Sequence, residues 1–235
     1  MKIKSWLKLA SRVVKNRFTS NPCLFALQAA VTYNCDCRCR YCNIWVDLDS
    51  DKELSVFGYR KLFEASNLSW LQLTGGEPFL RNDLKDIVLS ASELMEDLVL
   101  IDVPTNGLDG KKVVSDAAGI LDGISCGFEV AVSIDGVGRL ADEIRGVDDA
   151  FEKSMSTFLD LRDLFRGHKS SNARINYLIS PHNIGRLAGF LDEIEGRGLK
   201  ARAVSVDVAR NTVFFRTTHT PLQLNPTAVS PAIGD

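Results

Sequence analysis

WLQLTGGEPFLRNDLKDIVLSASEL, residues 70–94, carries two hydrophobic periods in one stretch. Residues 70–73 form a short apolar run of strand character. Residues 83–96 place apolar side chains at helical spacing behind Asn82, a residue of the N-cap type. Gly75, Gly76 and Pro78 punctuate the joint between them. The same strand-to-helix unit recurs in both directions from here. Further strands are predicted at 24–32, 98–103, 128–134, 174–179 and 201–208, and further helices at 59–66, 111–121, 150–165 and 184–195. Asn183 occupies the N-cap position of the last helix, and Gly196 and Gly198 mark its stop. Most of the strands are rich in Val, Ile, Leu or Phe and fit burial on both faces. This alternation predicts an α/β fold with right-handed crossovers and a parallel sheet. Periodicity leaves open a flat doubly wound sheet or a curved partial barrel. In either, working residues belong beyond the C-terminal strand ends.

Composition narrows the class. With 235 residues and 45% hydrophobic content, the chain can bury a substantial core as one domain. A net charge of −2 gives no general attraction to nucleic acid. No apolar run reaches the roughly 18 residues of a membrane span. Lys8 and Arg12 interrupt the apolar residues of the N-terminus, so it lacks the continuous core of an export signal. The expected location is therefore the reducing cytoplasm, where a disulfide framework is not expected.

TYNCDCRCRYCNIW, residues 32–45, puts four of the six cysteines directly after the first predicted strand. Cys35, Cys39 and Cys42 have the spacing C-x3-C-x2-C, with Cys37 as an extra member. Spacing leaves two metal readings open. Zinc would need a fourth, closing ligand, which Cys37 could supply. An iron–sulfur cube held by three thiolates would keep one iron open to another ligand. Three more polar, Gly-containing segments follow the next three strands: LTGGEP (73–78), PTNG (104–107) and SIDG (133–136). Four such segments at one sheet edge predict the lining of a single pocket. Cys23 and Cys126 read as core thiols, and His168, His182 and His219 show no metal-ligand spacing.

These motifs, in this order, resemble the radical S-adenosylmethionine (radical SAM) superfamily. Its signature is C-x3-C-x2-C with an aromatic, here Tyr41, before the last cysteine. GGEP (75–78), PTNG (104–107), VSIDGVGRLADEIRGVDDAF (132–151) and YLISPHNI (177–184) are similar to its segments at successive strands. The likeness covers about residues 27–209 and is nearest to the branch of molybdenum-cofactor cyclases and peptide-modifying maturases. It implies a partial (β/α)6 barrel of the radical SAM type, a [4Fe–4S] cluster and S-adenosylmethionine (SAM). In that family the reduced cluster cleaves SAM, and the resulting 5′-deoxyadenosyl radical abstracts hydrogen from a substrate. The resemblance also implies an electron donor such as flavodoxin or ferredoxin, and a small-molecule, lipid or peptide substrate.

Carried onto this chain, the resemblance makes Cys35, Cys39 and Cys42 the cluster ligands and sets Tyr41 near the adenine. Gly75, Gly76 and Glu77 would meet the methionyl ammonium, and Ser133 and Arg145 the SAM carboxylate and ribose. Asn106 and Asp135 are weaker candidates, because Asn or Asp before Gly commonly just makes a turn. Cys37 departs from the family pattern. The chain has no cysteine after Cys126, so the auxiliary clusters of many relatives are not expected. A non-catalytic iron–sulfur or zinc-binding relative, acting as a binding or electron-transfer module, is the alternative.

The two ends read differently from the 23–209 core. Residues 1–22 form a basic amphipathic helix, with Ile3, Trp6, Ala10, Val13 and Arg17 on one face. It is expected either to cover one end of the barrel or to make a peripheral membrane contact. Residues 210–235 contain Pro221, Pro226 and Pro231 and read as an irregular tail, so a sixth crossover helix is not expected and the barrel is read as incomplete at its C-terminus.

Overall fold

The computed structural model describes residues 3–18, 24–46 and 53–211. The expectations for Cys23, His219 and the tail beyond residue 211 lie outside the described residues. Among the described residues the chain runs α1 (Ile3–Phe18), β1 (Ala26–Thr32), α2 (Val56–Glu64), β2 (Trp70–Gly75), α3 (Leu84–Leu94), β3 (Leu100–Thr105), α4 (Gly110–Leu121) and β4 (Gly127–Ser133). It continues through α5 (Arg139–Arg145), α6 (Ala150–Leu164), β5 (Ser171–Ile179), α7 (Leu187–Gly196) and β6 (Val204–Val208).

The six strands pair in parallel and in sequence order, β1 to β6. A doubly wound sheet reverses its strand order once, at a switch point. This one never does, so the order is that of a partial barrel, and the sheet is not closed. Right-handed crossovers that all step the same way put the helices on one face. That face holds the core, where Phe63, Leu71, Ile87, Ile101, Phe128, Phe158, Ile175 and Phe190 are almost wholly buried. Each such side chain contributes roughly 1.5–3 kcal/mol relative to exposure.

The opposite face corrects one expectation. It does not read as a second apolar layer but carries a chain of polar side chains across the strands. Gln28 donates to Gln72 (2.7 Å) and Gln72 to Asp102 (2.6 Å). Arg174 bonds Asp102 (3.3 Å), Glu129 (2.5 Å) and Ser205 (2.6 Å). Successive residues of a strand face opposite sides, so the apolar runs conceal an alternation in which these polar residues line the barrel lumen.

Three further details differ from the sequence reading. Asn82 is not the cap of α3. Asp83 precedes that helix, and its carboxylate is turned back onto Arg81 (2.7 and 2.9 Å), making no cap bond. Asn183 lies before Arg186, the residue at the N-cap of α7, and its side chain points into the protein. The seven-residue α5, too short to show a period, was not predicted. At the end of α7, Gly198 takes a positive φ of 74°, as a helix-stopping glycine should.

Helix α1 is held at the N-terminal strand ends. Its Arg12 pairs with Asp97 and donates to the Asn67 carbonyl (2.6 Å) and Ser69 Oγ (3.0 Å), just before β3 and β2.

Candidate functional site

A cavity of about 360 Å³ opens at the C-terminal strand ends. Cys35, Cys39 and Cys42, with Tyr41, Gly75, Gly76, Glu77, Asn106, Ser133, Asp135 and Arg145, all line it. The four segments that follow β1 to β4 therefore meet at one place, as the strand-end rule requires.

The cysteine loop is built by backbone bonds from two sides. A register shift near Ala30–Thr32 redirects β1 into it. On one side, Gly76 N–H donates to the Thr32 carbonyl and Glu77 N–H to that of Asn34, both at 2.8 Å. This explains the paired glycines. A Cβ on Gly75 would lie 2.1 Å from Thr32 O, and one on Gly76 2.1 Å from Asn34 O. On the other side, Arg38 N–H donates to the Arg145 carbonyl (2.8 Å) and Arg40 N–H to that of Ile144 (3.0 Å). The last carbonyls of a helix lack intrahelical partners, and the loop supplies them for α5. Gly146 stops α5 at φ 67°, where a Cβ would press on Arg38 at 3.0 Å.

Asp135 is the electrostatic centre. It is fully buried, pairs with Arg145 (2.5 Å) and accepts from Tyr41 Oη (2.5 Å) and Leu178 N–H (2.9 Å). Burial opposes the Arg145 cation, but Asp135, Tyr41 and the cysteines outweigh it and hold the group charged. Arg145 also reaches Cys39 Sγ (3.9 Å) and lies 6.0 Å from the Tyr41 ring. Cys37, only 1% exposed, is hydrogen-bonded to Cys35 and Cys39, which with burial pushes its thiol up. The Cys37 bond and the Arg145 charge lower Cys39 to about 7 against its burial, whereas burial raises Cys42 to about 12. Among the described residues no three His, Cys, Asp or Glu side chains are gathered as metal ligands.

Glu77 ties β2 to β3. Its carboxylate accepts from Phe79 N–H (3.1 Å), Thr105 Oγ1 (3.0 Å) and Asn106 N–H (2.6 Å). Burial nevertheless pushes it up to about 7. Asn106 in turn donates to Asp36 in the cysteine loop (2.5 Å). Asn106 and Asp135 are therefore more than turn residues.

Sequence reasoning missed Asp36, Thr105 and Asn183. Asn183 Nδ2 donates to the carbonyls of Asp135 (2.9 Å) and Leu178 (2.8 Å), locking the β4 exit to β5. The signal was available in YLISPHNI, where a polar residue follows a strand end, but it resembled a helix cap. Gln28, Gln72, Asn176 and Asp207 also line the cavity, from its lumen side.

No family model matches the chain. A "PqqA peptide cyclase" of Methylorubrum populi is 30% identical over 190 residues, covering 78% of this chain and 46% of that protein. A "Probable GTP 3′,8-cyclase" of Archaeoglobus fulgidus is 30% identical over 145 residues, covering 55% of this chain and 46% of its own length. The chain thus spans about half the length of these curated relatives. Among solved structures, SuiB of Streptococcus suis bound to S-adenosylmethionine superposes with a TM-score of 0.65 at 15% identity, over 97% of this chain and 49% of SuiB.

Proposed function

Because the chain belongs to the radical SAM superfamily, we propose that it reductively cleaves S-adenosylmethionine at a [4Fe–4S] cluster and abstracts hydrogen from a small-molecule or peptide substrate. The observation that carries this reading is the convergence of three spaced thiols, a Gly-Gly-Glu turn and a buried Arg–Asp pair on one cavity.

The residues present suit these groups. Thiolates are the soft donors that iron–sulfur clusters take, and the Cys39 thiol is already lowered toward its anion. Arg145 Nε is buried without a hydrogen-bond partner among the described residues. That donor, beside the thiols, suits a ligand bearing acceptor atoms such as the SAM carboxylate. Cys35, Cys39 and Cys42 would hold the cluster, which when bound supplies the electron for breaking the sulfonium C–S bond.

The remaining roles belong to the protein's own groups. Glu77, with the backbone of Gly75 and Gly76, would favour the methionyl ammonium at the β2 exit. Ser133 and Asn106 would offer hydrogen bonds from neighbouring strand exits. Asp135 would position Arg145 and Tyr41 through its ion pair and hydrogen bond to them. The peptide and nucleotide named for the two cyclases support a substrate of either class. An external one-electron donor of the flavodoxin or ferredoxin type is part of the proposal.

The test is anaerobic reconstitution with iron and sulfide, then incubation with SAM and a low-potential reductant. Iron bound to the protein together with released 5′-deoxyadenosine is expected. Stoichiometric zinc with no iron and no 5′-deoxyadenosine refutes the proposal and favours a non-catalytic metal-binding role.

A further inference from the structure

Helix α1 is attached to the protein by its polar side. Arg12 makes the contacts to Asn67, Ser69 and Asp97 at the base of the sheet. At about 100° per residue, Leu7, Val14 and Phe18 lie roughly 120–160° around the helix from Arg12. The structure leaves that side open: Leu7 is 62%, Val14 56% and Phe18 82% exposed. Ala10, Val13 and Arg17, from the face marked out in the sequence, are exposed as well. An amphipathic helix that covers a core turns its apolar arc inward. Among the described side chains of α1, the apolar ones are turned outward instead.

The charge pattern identifies the occupant of the open face. The first 18 residues contain six basic side chains and no acidic one, and the first acidic residue of the chain is Asp36. Arg17, within the open face, is itself exposed. Exposed apolar residues on a segment whose only charges are basic are the arrangement of a helix lying in the headgroup region of an anionic bilayer. A second copy of the chain is disfavoured as the occupant, since pairing two α1 helices would oppose like charges with no acid to relieve them.

We infer that α1 is an interfacial helix that docks the protein on anionic lipid through Leu7, Val14 and Phe18, with Arg12 as its tie to the barrel. The inference is independent of the chemistry in the cavity. Because Arg12 holds the N-terminal strand ends, docking leaves the cavity, at the other ends of the strands, facing water. The helix is thus a tether and not a route for lipid into the site.

The full chain is tested by co-sedimentation with vesicles of phosphatidylcholine, alone or mixed with phosphatidylglycerol. Binding is expected only to the anionic vesicles and only at low salt. Leu7→Ser with Phe18→Ser should weaken it by about tenfold or more, with the circular dichroism spectrum unchanged because both side chains are exposed. Lys4→Glu with Lys8→Glu should have an effect at least as large. The inference is overturned if wild-type protein stays in the supernatant, or if both variants bind as well as wild type. It is also overturned if light scattering shows a dimer or a protein complex that Phe18→Ser dissolves while vesicles do not bind.

Discussion

Replacing Gly76 by Ala isolates what holds the cysteine loop in place. The added Cβ would sit 2.1 Å from Asn34 O and 2.7 Å from Asn34 C, against 3.4 Å or more for ordinary contact. Gly76 does not have the positive φ of Gly75, so the cost is steric and not torsional. Relief requires β2 and the start of the cysteine loop to part by about an ångström. The two 2.8 Å bonds between them, Gly76 to Thr32 and Glu77 to Asn34, cannot survive that movement. At about 1–2 kcal/mol for each lost bond in a mostly buried setting, the variant should be destabilised by about 2–4 kcal/mol. Gly189→Ala is the matched control, because nothing lies within 4 Å of its Cβ and it sits inside α7. There the better helix former should stabilise by about 0.5–1 kcal/mol. Urea unfolding followed by far-UV circular dichroism measures both. If Gly76→Ala falls within about 0.5 kcal/mol of wild type while the control behaves as stated, the close backbone approach is not what requires glycine.

Other predictions concern charge and ligands. Glu77 is raised by burial from 4.5 to about 7, so the folded protein retains a proton that the unfolded chain has released between those values. The associated stability is complete below pH 4.5 and lost as pH rises through 7, a change of about 3 kcal/mol. Glu77→Gln should remove that slope from urea midpoints taken across the range, and an unchanged slope would assign it elsewhere. Asp135→Asn leaves the buried Arg145 cation uncompensated and should cost about 3–5 kcal/mol, seen as a drop in thermal midpoint; a stable variant would mean that water or the thiols carry the charge. Cys37→Ala should retain iron and SAM cleavage after reconstitution while Cys39→Ala loses both, and equal loss would make Cys37 a ligand.

How far the sequence could be read depended on the range of each signal. Strand and helix periods lie within a single segment, and all six strands and the five longer helices after α1 emerged near their observed bounds. The pocket was legible because strand ends share one geometric fate in a parallel sheet, so four motifs could be placed together without coordinates. Partnerships across the sheet were not legible. Asn183 has the same local sequence whether it caps a helix or clamps β4 to β5, and only the position of the Asp135 carbonyl decides between them. The polar lumen was hidden for a related reason. Gln72, Asp102 and Arg174 look like interruptions of apolar runs until strand pairing aligns them into one hydrogen-bonded row. Arg12 shows the same limit, since an acidic partner at Asp97 could not be read from a basic helix.

The two-sided clamp on the cysteine loop has a consequence in time. One side, the Gly-Gly turn after β2, follows the loop closely in the chain and can close early. The other side is the C-terminal end of α5, where Arg145 lies 106 positions beyond Cys39. At about 5–20 residues per second of synthesis, the first-made functional loop waits about 5–20 s for its second clamp. Throughout that interval the Arg145 charge is absent and the four neighbouring thiols are anchored from one side at most, open to oxidation or to stray metals. The clamp is therefore complete only once α5 has been made, and slowing synthesis between β2 and α5 should lower the fraction of chains that mature correctly.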